Sequence, residues 1–483
     1  MVFNSWEFAL FFPVVYLLYL LLPTRRLQNL LLLGASYYFY AAWDWRFLGL
    51  LLGSTILDYV CARAIDDATD ERCRRRFLVA SVIGNLTVLG FFKYYGFFVE
   101  SMDDLLRPLG LSSGALRLDI VLPIGVSFYT FQEMSYTIDV YRREIRATRS
   151  LLDFAVFVAF FPHMVAGPIQ RAANLLRQVA RPRRLSRAAF VSGGWLILWG
   201  LWKKIVIADN LALIADPIFA GSATVAALPA YLGVVAFAFQ IYCDFSAYSD
   251  IARGVARLLG FELMLNFNLP YFATNPSDFW RRWHISLSNW LRDYLYIPLG
   301  GSRGGEAKTY RNLGLTMLLG GLWHGAAWNY VWWGAYQGAL LIGHRLLRGE
   351  RPPAKPGTGG AGWWLSVIVM FHFTLLGWLI FRSTRRVWVD GVSRDDSWAQ
   401  MVEMLSAFGN GLGLDAGSLE LLVRVAVLCL PLVIVQWIQY RLQDHLVVLR
   451  LPLVGRAAVI SILLLTWLIW GIQDGESFIY FQF

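Results

Sequence analysis

His324 stands in LLGGLWHGAAWNYVWWGAYQG (318–338), a window with no Lys, Arg, Asp or Glu. Ionisable side chains inside apolar sequence are costly, and they mark functional positions unless something pairs or hydrates them. Apolar surroundings favour the neutral imidazole, whose lone pair is what a general base uses. A histidine that only bridges two helices by hydrogen bonding fits the same placement, so placement alone leaves both readings open.

A second concentration is FWRRWHISLSNWLRDYLY (279–296). Read as one helix, Trp283, Leu287, Trp290 and Tyr294 form an aromatic stripe, while His284, Ser288 and Arg292 recur at i, i+4 and i+8 on another face. Such a helix lies at a membrane interface, with Arg281 and Arg282 toward headgroups and tryptophans at their depth. His284, facing inward beside Ser288, is the position this leaves unexplained. Third comes DFSAYSDIARG (244–254), where Asp244, Ser246, Ser249 and Asp250 sit at the end of an apolar run. It reads first as a structural polar network with nearby arginines, and second as a funnel lining or acidic site.

Other chemistry-bearing residues carry less. GGSRGG (300–305) has no preceding strand and so is not a dinucleotide loop, although Arg303 in a mobile loop could touch a phosphate. His163, His344, His372 and His445 read as structural. Cys61, Cys73, Cys243 and Cys429 make no framework, and no Cys/His spacing suits a metal.

The elements that must position these residues follow from composition. The chain has 483 residues, 57% apolar and 16% charged, with a mean hydropathy of +0.50. Soluble domains are about 45–50% apolar and about 25% charged. These values exclude a soluble enzyme, a disordered scaffold and a disulfide-stapled module, and imply an all-α polytopic membrane protein of about 10–12 membrane helices. The 43 basic residues against 33 acidic ones give a net charge of +10, which reads as the positive-inside bias and not as nucleic-acid binding.

Apolar segments fall near 6–22, 28–43, 46–62, 77–99, 120–141, 151–169, 190–214, 226–250, 312–343, 363–381, 420–440 and 457–472. Residues 1–22 hold one charge, Glu7, and read as a retained first span, not a cleaved signal. Arginine-rich loops around 25–26, 72–76, 142–149, 171–187 and 345–355 are assigned to the cytoplasm, and the more acidic loops 100–119 and 383–419 to the outside. Segments 151–169 and 312–343 have basic flanks at both ends and internal Gly or Pro, so both are expected to break or re-enter. The remaining crossings are even in number, which places both ends outside. Residues 349–362, with PPAKPGTGGAG, read as a flexible cytoplasmic loop inside a single integral-membrane domain 1–483.

RRWHISLSNWLRDYLYIPLGGSRGG followed by TMLLGGLWHGAAWNYVWWG resembles the membrane-bound O-acyltransferase family, with further likeness in LPIGVSFYTFQ (122–132), FPHMVAGPI (161–169), NFNLPY (266–271) and FIYFQF (478–483). Within the family it is most similar to membrane subunits of alginate and other cell-envelope polysaccharide O-acetylation. The resemblance implies a bundle with broken helices around a central tunnel and funnel, in a bacterial inner membrane. It implies His324 as catalytic base and His284 as the second signature position. Trp323, Trp283, Ser288, Asn289, Asp293, Arg281 and Arg282 would line or support the donor tunnel, with Asp244, Ser246 and Asp250 as a polar network of the funnel. The implied donor is a thioester, acetyl-CoA or an acyl carrier protein, with no bound cofactor or metal. The implied partners are the bilayer and a periplasmic SGNH-type acetyltransferase.

Ala247, Leu269 and Ser302 depart from residues common in relatives, and the latter two bear on the acceptor. The outward tail 473–483, at roughly 3.3 Å per residue, can reach about 30 Å and turn back into a funnel. By likeness to the small partner of teichoic-acid D-alanylation, Tyr480 would carry the acyl group. An aromatic anchor at the interface is the plain alternative for that tail.

Overall fold

The computed structural model describes residues 1–111, 116–221, 225–348, 359–389, 392–472 and 478–479. Among them the chain is helical, apart from irregular connections and one antiparallel hairpin, Arg386–Val389 with Val392–Asp395. Among the described residues, six stretches are long and apolar enough to cross a membrane: 25–67, 71–109, 227–258, 361–382, 416–442 and 453–470. The first two each take in consecutive helices.

The described chain divides into two compact units, residues 1–199 with 248–265, and 200–247 with 266–483. In the first, helices Trp6–Leu21, Arg25–Asp44, Glu71–Leu89 and Leu151–Ala159 begin at Ser5, Thr24, Asp70 and Ser150, whose side-chain oxygens accept a main-chain N–H of the first turn. Helices Leu48–Asp67, Glu71–Leu89 and Val126–Tyr141 are joined at buried Asp58, which accepts from Ser81 Oγ, from Asn85 Nδ2 at 2.6 Å and from Thr137 Oγ1 at 3.0 Å. Buried Glu133 meets Thr55 Oγ1 at 3.1 Å in the same cluster.

The expected break in 151–169 is present. The helix stops at Ala159, and residues 160–170 run irregularly and fully buried, with Gly167 so close to His163 that a Cβ would lie 2.3 Å from its Cα. Irregular backbone in such a protein is tolerated where other protein covers it.

In the second unit the 312–343 segment also breaks, into helices Glu306–His324 and Trp328–Arg348. These two pack backbone to backbone because glycines face each other. A Cβ on Gly321 would lie 2.2 Å from the Tyr330 carbonyl oxygen, and one on Gly334 would lie 2.5 Å from that of Met317.

The reading of 279–296 as one helix is corrected. The chain forms Pro276–Trp280, turns, resumes at Ile285–Leu291 and ends in a π turn over Arg292–Tyr296. The turn is set by His284, whose φ is 41°. His284, Ser288 and Arg292 therefore share no helix face. The tip of the expected 349–362 loop, residues 349–358, lies outside the described residues.

Candidate active site

His324 is the last residue of helix Glu306–His324, and Gly325 leaves that helix in an extended conformation. A Cβ on Gly325 would lie 2.0 Å from Cε2 of Tyr330, so the sharp exit from the helix needs a glycine for space. His324 is buried, with 4% exposure. Its ring meets Trp333 edge-on at 5.1 Å, Trp323 at 5.2 Å and Phe381 at 5.5 Å. Asn329, near the start of the next helix, donates from Nδ2 to the Phe381 carbonyl oxygen at 2.8 Å and so ties that wall to helix Ala361–Arg382.

His284 is fully buried and lies 6.4 Å from His324, centroid to centroid. A non-glycine residue in the left-handed region costs about 1–3 kcal/mol and persists only when its surroundings over-determine it. Here the flanking backbone is pinned on both sides. Asn268 N–H donates to Arg282 O at 2.8 Å, Ile285 N–H to Asn266 O at 2.9 Å, and Ser288 N–H to His284 O at 2.9 Å.

The ring orientation is set by Asn266. Its Oδ1 accepts from Ser286 N–H at 3.2 Å and from Ser286 Oγ at 2.9 Å, and lies 3.2 Å from His284 Nδ1. A main-chain N–H can only donate, which assigns that Asn266 atom as oxygen, so His284 Nδ1 carries the hydrogen. The neutral ring then has its lone pair on Nε2. Phe245 sits edge-on to His284 at 4.7 Å, and Trp323 touches both histidines, 5.8 Å from His284 and 5.2 Å from His324.

The other expected site residues are dispersed around this pair. Trp283 stacks on Phe279 at 5.7 Å and meets Trp378 at 4.7 Å, one layer behind the histidines. Ser288 Oγ donates to Trp283 O at 3.2 Å, a local helix contact. Asn289 is half-buried on that helix, and among the described residues no side-chain hydrogen bond joins it to either histidine. Asp293 pairs with Arg292 at 2.7 Å. Arg282 binds Asp278 at 3.0 Å and the Asn268 carbonyl oxygen at 3.2 Å, under the Tyr440 ring, whereas the more exposed Arg281 lies 3.9 Å from Asp278. The arginine pair is thus partly structural, and not a uniform headgroup face.

Asp244 and Ser246 join two lysines that the sequence reading passed over. Lys204 Nζ lies 2.7 Å from Asp244 and 2.8 Å from Asp209, and Lys203 Nζ donates to Ser246 Oγ at 2.7 Å. Asp250 pairs with Arg253 at 3.3 Å and belongs with the residues of the first unit. Tyr480 lies outside the described residues.

Asn266, Lys203 and Lys204 are the residues that sequence reasoning missed. The lysines interrupt the apolar run WGLWKKIVIA (199–208), the same signal that singled out His324. Asn266 opens NFNLPY, a segment noted for its resemblance but given no role.

A model of the membrane-bound O-acyltransferase family (MBOAT) matches residues 43–380. A probable alginate O-acetylase AlgI of Azotobacter vinelandii is 44% identical over 440 residues, covering 90% of this chain and 84% of that protein. The probable alginate O-acetylase AlgI of Pseudomonas aeruginosa is 45% identical over 384 residues, 79% of this chain and 72% of its own. A peptidoglycan O-acetyltransferase of Helicobacter pylori is 35% identical over 403 residues, 77% of this chain and 75% of its own.

Proposed function

The chain belongs to the membrane-bound O-acyltransferase family, and from that premise we propose that it moves an acetyl group from a cytoplasmic thioester to an extracytoplasmic polysaccharide, with His324 as general base. The observation that carries this reading is the meeting of two buried imidazoles at 6.4 Å within an aromatic wall, one of them held in a single tautomer by Asn266.

In the proposed step, His324 takes the proton of an incoming hydroxyl while that oxygen attacks the thioester carbonyl carbon. The tetrahedral intermediate expels the sulfur, the thiolate recovers the proton from the imidazolium, and an ester and a free thiol result. His284 Nε2 orients the donor or supports the developing oxyanion. A positioned base of this kind contributes about 10²–10⁴-fold, and a close, oriented hydroxyl supplies much of the remainder.

The donor is acetyl-CoA or an acyl carrier protein, either of which brings phosphate to the arginine-rich loops assigned to the inner face. Alginate and peptidoglycan are the acceptors named for the relatives, and the acceptor here is a cell-envelope polymer of that class. Tyr480 is the proposed acyl carrier toward a periplasmic SGNH-type acetyltransferase, with the protein in the bacterial inner membrane.

The test is His324→Ala, with thioester consumption and polymer acetylation measured at matched protein levels. The expected result is a loss of both by about 10²–10⁴-fold, and full activity would remove the central assignment. A transporter or a scaffold that only docks periplasmic enzymes would be indifferent to both histidines.

A further inference from the structure

The last described residues, Phe478 and Ile479, are buried at 1% and 4% exposure. They are held by groups the acyl-transfer chemistry does not use. Asp244 divides its carboxylate between two partners, one oxygen 2.7 Å from Lys204 Nζ and the other accepting the Ile479 main-chain N–H at 2.6 Å. Lys204 Nζ also lies 4.9 Å from the centre of the Phe478 ring, a cation–π contact, and its charge is shared with Asp209 at 2.8 Å.

The chain leading to these residues is fastened to the same stretch. Trp202 Nε1 donates to Thr466 Oγ1 at 2.8 Å and Asn210 Nδ2 to the Trp470 carbonyl oxygen at 2.8 Å, on either side of the π turn Lys203–Ala208 that carries Lys204. A Cβ on Gly471 would meet Trp467 O at 2.3 Å, so the helix Leu453–Trp470 can hand over to the tail this tightly only through glycine.

One more adjacency gives the arrangement a purpose. Asp244 grips the tail, and the next residue of the same helix, Phe245, packs edge-on against His284 at 4.7 Å. A buried carboxylate that binds a main-chain N–H fixes the position of a chain segment without regard to its side chain, whereas the cation over Phe478 selects an aromatic ring. Together they specify both which residue docks and where. A buried cluster of paired charges of this kind is better suited to fixing a register than to adding stability.

We propose that Asp244 and Lys204 form a latch that seats the tail at Phe478–Ile479, a positioning role that rests on the acyl-relay reading of Tyr480. The latch selects an aromatic–aliphatic pair of this chain, and neither residue touches the reacting atoms.

The test separates the latch from the relay. Hydrogen exchange, read by mass spectrometry on the full-length protein in detergent, reports the Ile479 amide directly. The expected pattern is slow exchange at Ile479 in the parent protein and at least tenfold faster exchange in Asp244→Ala, with amides of 227–243 unchanged. Asp244→Asn, which retains an acceptor oxygen, is expected to fall between. Lys204→Met serves as a second variant if Asp244→Ala fails to accumulate. Polymer acetylation is expected to fall at least tenfold in the variant that frees the amide, while thioester binding is unchanged. Fast exchange at Ile479 in the parent protein overturns the latch whatever Tyr480 does. A freed amide with undiminished acetylation overturns its positioning role. Loss of acetylation in Tyr480→Phe with Ile479 still protected supports the relay and the latch as separate parts.

Discussion

His284 Nδ1 and Asn266 Oδ1 lie 3.2 Å apart, and the same oxygen accepts from both the main-chain N–H and the hydroxyl of Ser286. One amide oxygen therefore fixes a histidine tautomer and the turn that carries it. Asn266→Ala leaves His284 Nδ1–H and the Ser286 N–H buried without that acceptor, at about 1–3 kcal/mol each. The expected result is a fall in turnover of at least about tenfold with a lower melting temperature, and Asn266→Asp, which keeps an acceptor, should recover part of the turnover. Steady-state kinetics and a thermal melt in detergent check this.

Gly325 lets the chain leave the helix directly after His324. In Gly325→Ala the new Cβ falls 2.0 Å from the Tyr330 ring, which is itself buried at 3% exposure and packed on Phe381 at 4.9 Å. Overpacking of this kind costs about 1–3 kcal/mol, and here the shift lands beside His324, the proposed base. Turnover is expected to drop more than stability does. Adding Tyr330→Ala removes the obstructing ring, so the double variant should be more active than Gly325→Ala alone, a coupling that a double-mutant cycle measures.

Asp58 serves the scaffold. Asp58→Ala strands the Ser81 hydroxyl and takes one of two acceptors from Asn85 and Thr137, which keep the Ser81 and Glu133 carbonyl oxygens. The stranded donor costs about 1–3 kcal/mol. The yield of folded protein and its melting temperature should fall, while acetylation per folded molecule stays within about twofold. A proportionate loss of specific activity would show that the cluster takes part in the reaction.

At the edge of helix Ala416–Leu442, Asp415 caps the first turn by accepting Ser418 N–H at 2.7 Å. Hydrogen bonds from Ser418 hold its carboxyl below the usual carboxylate range. A group whose folded pKa is depressed stabilises the folded form above its unfolded value of about 3.9 and loses that contribution as pH falls through the folded value. Exchange at amides 416–419, corrected for the intrinsic rate, should therefore accelerate below about pH 3.9. Asp415→Asn should exchange independently of pH across that window.

The long apolar spans, the breaks in 151–169 and 312–343, and the burial of His324 were legible because each rests on a local signal: hydropathy, internal glycine or proline, and one ionisable residue in an uncharged window. The geometry at His284 was not. A 3.6-residue period assumes an unbroken helix, and the left-handed φ at His284 is imposed by main-chain pairing with Asn266 and Asn268, residues distant in sequence. Local pattern cannot report such pairing. Lys203 and Lys204 were within reach of the rule applied to His324, since they sit in the middle of the apolar segment 190–214. Their inward placement comes from the π turn, which turns the helix face locally.

The crowding of Trp323 and Trp333 against the His324 ring, at 5.2 and 5.1 Å, has a practical consequence. Indole emission responds to charge on a neighbouring imidazole, so the imidazolium of the proposed step would be recorded by light from the wall that surrounds it. With 21 tryptophans in the chain, that record is a difference signal. Subtracting the emission of Trp333→Phe from that of the parent isolates it and turns the enclosure around the proposed base into a built-in optical meter of its protonation.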